Sequence, residues 1–283
     1  MPVDLGEYVR RDAALLEKLG WEEFVKHRRP RSDFSSLDNV DHTARRILKE
    51  YKHKGVPVRF ATEAWTLEKV NEAIARGAHP SCDQAVDFLC EEFVDMINKG
   101  QFIVLPATSA KKLPGLRVSP MGVIPQAGRR NHMVADHTFS GVNEETQPIV
   151  PVESMQFDHA LERILREILL ADPALGPVKM LKVDLSDGFY RLHLIPRDAP
   201  KLGLAFPKID GLPDLVAIPL VLTMGWKNSP PAFSAVTETI ADLCNARLEE
   251  GGVPPPHALD QADAEVTPAT PVPAPTIHQE SHD

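Results

Sequence analysis

The apolar positions of this chain change their period several times, and each change marks an element. Val86, Leu89, Phe93 and Ile97 recur three or four apart, which predicts a helix over Asp83 to Lys99 with Gly100 as its C-terminal cap. A continuous apolar run, Phe102 to Leu105, follows as a short strand, and a Lys111-Lys112 loop ends at Pro114-Gly115. Met121 to Pro125 and His132 to Asp136 predict two strands around the glycine-bearing turn Gln126 to Arg130, a hairpin with a basic tip. The stripe Leu161, Ile164, Leu165, Ile168 and Leu169 predicts a second amphipathic helix from Phe157 to Leu170, capped by Asp158.

Beyond it, Lys179 to Leu185 alternates. Leu181, Val183 and Leu185 fall on one face of a strand, with Lys182 and Asp184 on the other. Ser186-Asp187-Gly188 stops that strand, and Tyr190 to Ile195 resumes an extended pattern. Lys201 to Pro207 and Leu215 to Leu220 predict a hairpin around Asp210-Gly211. Pro230-Pro231 opens a last helix with Phe233, Val236, Ile240, Leu243 and Leu248 on its apolar face, ended by Gly251-Gly252. Residues 1 to about 60 mix charged and apolar positions at loosely helical spacing. The final 33 residues hold seven prolines, five acidic side chains and no Lys or Arg, a composition that predicts disorder. The division expected is a mostly helical region 1–82, a second region 83–175, a third 176–250 and an acidic Pro-rich tail 251–283.

Composition adds constraints. At 43% hydrophobic and 25% charged, the 283 residues can bury a real core. Cys82, Cys90 and Cys244 make neither a Cys-X-X-Cys pair nor an even set, so they read as small core residues in a reducing compartment. The first residues lack the basic and apolar regions of a signal peptide. The longest apolar stretch, Leu215 to Met224, is far short of the roughly 20 residues a membrane span needs. A cytoplasmic or nuclear location is expected. The net charge of -9 argues against a nucleic-acid partner at first sight, but Lys26 to Arg59 carries ten Lys or Arg against four acids. Such a run either lies along a phosphate backbone or forms a solvated helical face.

Two segments carry the candidate chemistry, Asp184-Leu-Ser-Asp187-Gly-Phe189-Tyr190 and Leu222-Thr-Met-Gly225-Trp226-Lys227-Asn-Ser229-Pro230-Pro-Ala-Phe233. An Asp at a strand end with another three residues on is, taken alone, more often a turn or cap. In this order and about 40 residues apart, the two segments resemble the first two palm motifs of reverse transcriptases. Ser119-Pro120-Met-Gly-Val-Ile-Pro125, leading to Asp136 and Val142-Asn143, resembles that family's fingers hairpin. The likeness runs over roughly residues 85 to 250, with the flavour of retrotransposon polymerases of fungi, oomycetes and algae. Pro200-Lys-Leu-Gly203 and Ala235-Val-Thr-Glu238-Thr also have counterparts there.

The resemblance implies an α+β chain with a partial right-hand polymerase fold: fingers plus an incomplete palm. The family's activity is RNA-directed DNA polymerisation on an RNA or DNA template-primer with dNTPs. Phosphoryl transfer of this kind uses two divalent ions about 4 Å apart, and hard carboxylate oxygens suit Mg²⁺. On that likeness Asp184 is the metal-binding catalytic carboxylate, and Leu185 adds a main-chain carbonyl. Phe189 packs against the incoming sugar, or is core if read without the family. Gly225, Trp226 and Lys227 cradle the templating base and nucleotide, Ser229 and Pro230 support them, and Asp136 belongs to the fingers. Where the family has a triphosphate-gripping Arg, this chain has His132, which leaves Arg129 or Arg130 as substitutes. Met224 stands where many relatives have Gln. The third palm motif, an aromatic, one variable residue and two aspartates, is missing, and Asp-Asp occurs nowhere in the sequence. One carboxylate cannot hold two ions, so an inactive fragment is expected. The alternatives are a non-catalytic nucleic-acid-binding module or a remnant without function.

Overall fold

The computed structural model describes residues 4–29, 37–149, 160–180 and 185–250. They fall into two compact units. The first comprises Met1–Val40, Arg45–Ile149 and Ser186–Phe233, and the second Asp41–Ala44, Val150–Leu185 and Ser234–Asp283.

The first unit is built on a five-stranded mixed sheet in the order β1-β5-β4-β2-β3. The strands are β1 (Phe102–Pro106), β2 (Val118–Ile124), β3 (His132–Ala135), β4 (Gly203–Ala205) and β5 (Leu215–Pro219). Both expected hairpins are present. Strands β2 and β3 pair antiparallel from Met121↔Ala135 to Ile124↔His132, and β4 and β5 pair through Leu204↔Ala217 and Ala205↔Val216. A parallel pairing of β2 with β4, Val118↔Gly203 to Pro120↔Ala205, joins the two hairpins, and β1 closes the far edge against β5. The continuous apolar runs of β1 and β5 have a simple cause: Phe102 to Leu105 and Leu215 to Ile218 are buried on both faces.

One face of the sheet packs against α1 (Leu5–Leu19) and α5 (Val86–Asn98). Leu5 and Val9 from α1, with Leu89, Phe93, Met96 and Ile97 from α5, meet Phe102, Val104, Met121, Val123, Leu204 and Phe206. The Phe93 ring sits edge-on to Phe102 at 5.3 Å and to Phe206 at 4.9 Å. This is the stripe foreseen in the sequence, with the helix beginning after a 3₁₀ turn over Pro80–Ala85. Cys82 lies in the same core, its thiol donating to the Met121 carbonyl at 3.3 Å and pushed up to about 11 by burial.

The remaining helices of this unit include α2 (Trp21–Arg28), α3 (Arg45–Lys54), α4 (Leu67–Arg76), α6 (Ala107–Ala110) and α7 (Val142–Glu145). They show what becomes of the basic N-terminal run. Arg28 turns inward to the Ile97 carbonyl (2.8 Å) and to Asp12, and Arg29 donates to the Leu194 and Leu220 carbonyls. Burial pulls Arg29 down to about 10. Lys26, Lys49 and Lys54 pair with Glu23, Asp38 and Glu50. Two arginines of the run are thus engaged within the fold, and the three lysines sit in exposed surface pairs.

Arg117 is buried and anchors the segment between α3 and α4. Its guanidinium lies over the Phe60 ring at 3.6 Å and donates to Thr62 Oγ1 (3.1 Å) and the Glu63 carbonyl (2.9 Å). It also pairs with Glu145, whose carboxylate accepts from Trp65 Nε1 (3.2 Å), Thr62 Oγ1 (3.0 Å) and Lys69 Nζ (3.2 Å).

In the second unit, α8 (Ala160–Leu170) is the expected amphipathic helix, with Leu161, Leu165, Ile168 and Leu169 exposed. The last helix, α9 (Ser229–Glu249), contributes its later turns here, where Asp242 meets His42 at 3.1 Å. Asp158, the proposed cap of α8, lies outside the described residues, as do 181–184 of the expected Lys179 to Leu185 strand and the 251–283 tail. The described ends of that strand, Lys179, Met180 and Leu185, are in no strand. The Tyr190 to Ile195 expectation is corrected: the chain turns through 3₁₀ geometry at Phe189–Arg191 before single bridges at Leu194 with Val56 and His193 with Val221. Asp187, in left-handed geometry at φ 57, redirects the chain into that turn. No helix among the described residues is long and apolar enough to cross a membrane.

Candidate nucleotide and template site

Most residues singled out by the resemblance lie in the first unit, around one turn. Leaving β5, the chain hydrogen-bonds through the Leu222 amide to the Leu192 carbonyl (2.9 Å) and then folds tightly over Thr223 to Ser229. The Ser229 hydroxyl, fully buried, donates back to the Thr223 carbonyl at 2.6 Å and closes the loop. Gly225 is required at its apex. Its φ is 92, and a Cβ there would stand 2.1 Å from the Ala135 carbonyl oxygen at the end of β3. Backbone of the turn thus rests directly on backbone of the β2–β3 hairpin.

Asn143, in α7, holds that contact from the side. Its Nδ2 donates to the Gly225 carbonyl at 2.7 Å, and its Oδ1 accepts from the Lys227 amide at 2.9 Å. A third Asn143 contact, Nδ2 to Thr138 Oγ1 at 2.9 Å, fixes the side chain itself. Asn228 extends the seam, donating to the Gln147 carbonyl (2.8 Å) and accepting from the Ile149 amide (3.3 Å). Segments some 80 residues apart in sequence are thereby joined at four side-chain hydrogen bonds. Gly225→Ala is expected to introduce roughly 1–3 kcal/mol of backbone strain, beyond the overlap with Ala135. A urea melt should show the loss, and Asn143→Ala should lower the midpoint less.

The turn has an inner and an outer side. Trp226 is 1% exposed and donates through Nε1 to Thr146 Oγ1 at 3.2 Å, so its ring anchors the turn in the core and offers no face to a ligand. Met224, Gly225 and Lys227 form the exposed edge. Pro230 is half-buried at the start of α9. Phe189 is half-buried and meets the Phe233 ring edge-on at 5.3 Å.

Asp136 sits just beyond β3. Its amide donates to the Pro120 carbonyl (3.0 Å), and its carboxylate accepts from the Phe139 amide (2.9 Å) and meets His79 Nε2 at 3.0 Å. Burial works against this carboxylate, but the Phe139 amide and His79 outweigh it and hold its pKa below the usual range. Of the two substitute arginines, Arg130 is drawn back onto α5, pairing with Glu92 at 2.5 Å and lying 5.6 Å from the Phe88 ring. Arg129 is exposed at the hairpin tip. His132 is half-buried within β3.

A residue that pattern reading passed over, His137, joins the two halves from inside. It is buried, with Nδ1 at 3.0 Å from Ser119 Oγ and Nε2 at 3.3 Å from Thr223 Oγ1, and Ser119 in turn meets Ser140 at 2.6 Å. Burial pulls His137 down to about 4. Ser119 and Thr223 both belong to the quoted motifs, and their placement is the one signal that pointed to it.

Asp184, the metal ligand implied by the resemblance, lies outside the described residues, and Leu185 beside it is exposed in the second unit. Among the described residues no group of three or more His, Cys, Asp or Glu side chains is disposed to hold a metal ion. Asp187, the described carboxylate nearest to Asp184 in sequence, pairs with Lys99 at 3.5 Å. The Mg²⁺ expectation therefore has no support from the described geometry, and no step is derived through it. No model of a known protein family matches the chain, and no relative is found among curated proteins.

Proposed function

We propose that this chain is the fingers and first palm segments of a reverse transcriptase of the retroelement kind, a scaffold that holds template-primer and incoming dNTP. One observation carries the reading. The segment from Ser119 to Asn143 and the Leu222 to Phe233 segment, assigned to neighbouring parts of one site by resemblance, meet backbone to backbone at Gly225 and are locked there by Asn143. The exposed edge Met224-Gly225-Lys227 offers a close backbone approach and one cation, which suits a stacked base and its phosphate. RNA-directed DNA polymerisation is the family activity. With no aromatic-X-Asp-Asp in the sequence, the reading assigns to these residues holding and not transfer.

Fluorescence anisotropy with a labelled RNA–DNA template-primer, at several salt concentrations, tests it. Salt-dependent binding weakened by Lys227→Ala, without primer extension in Mg²⁺ or Mn²⁺, is the expected result. A folded sample that binds no template-primer overturns it. Extension abolished by Asp184→Ala would overturn the assignment of holding alone.

A further inference from the structure

We propose that Phe139, with Arg76 beside it, is a stacking platform for an unpaired nucleobase of a single strand. The inference rests on the polymerase reading and places a contact outside the Gly225 turn.

Among the large exposed apolar side chains of the described residues, Phe139 is the aromatic one, 57% exposed. Its position is fixed from three directions. The Phe139 amide is held by the Asp136 carboxylate at 2.9 Å. The His79 ring meets it edge-on at 5.2 Å and 87°, and His79 is itself held by Asp136 at 3.0 Å and through its own amide to the Met121 carbonyl at 2.8 Å. The Arg76 guanidinium, at the end of α4, lies 4.8 Å from the ring centroid. The guanidinium takes one face of the ring and leaves the opposite face of this 57% exposed side chain to a base. The cation then stays close to the backbone phosphate of the same strand, the pairing by which single strands are held. Four residues further along the same segment, Asn143 grips Gly225, so the platform is continuous with the support of the exposed turn. A purely apolar partner would make no use of Arg76.

The test compares two labelled oligomers, one of thymidine and one of the same length made of abasic units, by anisotropy at fixed salt. The wild-type chain should bind the thymidine oligomer about 10-fold more tightly. Phe139→Ala should erase that preference and leave abasic binding unchanged, Phe139→Trp should keep it, and Arg76→Ala should weaken both. Equal binding of the two oligomers by the wild type, or a preference that survives Phe139→Ala, overturns the platform. If the Ala variant binds template-primer and thymidine as the wild type does, the platform alone falls; if the folded wild type binds no nucleic acid, the polymerase reading falls with it.

Discussion

Replacing Glu145 with Ala is expected to cost the fold about 3–5 kcal/mol, read as a lowered urea midpoint with an unchanged slope. The reason lies in what it leaves behind. The Arg117 side chain is 2% exposed, and Glu145 is its counter-ion. Without the carboxylate, the guanidinium keeps only Thr62 Oγ1, the Glu63 carbonyl and the Phe60 ring, none of which carries a charge. Trp65 Nε1 and Lys69 lose an acceptor at the same time. Arg117→Met should cost less, because Glu145 is 19% exposed and still has Lys69 at 3.2 Å. A double variant, Arg117→Met with Glu145→Leu, should cost well below the sum of the two, since neither charge is then stranded. A Glu145→Ala loss under about 1 kcal/mol would show that the pair contributes little. Because Glu145 and Asn143 share α7, the same variant should also loosen the Gly225 turn.

Acidification should destabilise the chain well above the range of ordinary carboxylate titration. Burial pulls both His137 and His193 down to about 4, below the ordinary 6.5, with Arg29 adding to the effect at His193. A base whose folded pKa is depressed prefers to be neutral in the fold. Its contribution is therefore complete above pH 6.5 and is lost as pH falls from 6.5 towards 4. At about 1.4 kcal/mol per pH unit, His137 alone accounts for roughly 3 kcal/mol at the acid end, and the less buried His193 for a smaller share. Asp136 adds in the same direction at lower pH. Asp12, which burial pushes upward against Arg28 and Arg11, opposes it. Urea midpoints at pH 7, 6 and 5 should fall steadily, and His137→Asn should flatten the slope. A wild-type stability that is level over this interval would contradict the neutral, buried assignment.

Elements whose signal is local were legible from sequence. The stripe of α5, the apolar runs of β1 and β5, and the two hairpins each carry their period or turn residues within a dozen positions. The parallel pairing of β2 with β4 was not, because Val118 and Gly203 are far apart and nothing in either stretch encodes its partner. The site divides the same way. Gly225 was marked as a close-approach glycine, and the Ala135 carbonyl gives the reason. Trp226 was assigned to ligand because its motif neighbours were, yet its burial depends on Thr146, which only the fold brings near. Arg117, Glu145 and His137 looked like background charges and a stray histidine. Their partners come from three remote segments, so their roles emerge with tertiary structure alone.

The strand order β1-β5-β4-β2-β3 has one consequence for how the chain is made. The β4–β5 hairpin, late in sequence, is wedged between β1 and β2, which precede it by about 100 residues. During synthesis, β1 and the β2–β3 hairpin emerge with the two strands that will join them still unmade. Their facing edges stay open until Leu215–Pro219 has been added, and α5 then closes over a completed layer. Assembly on the ribosome is thus delayed until near the end of the first unit. Any shortened product that stops before β5 exposes two sticky edges in place of a sheet.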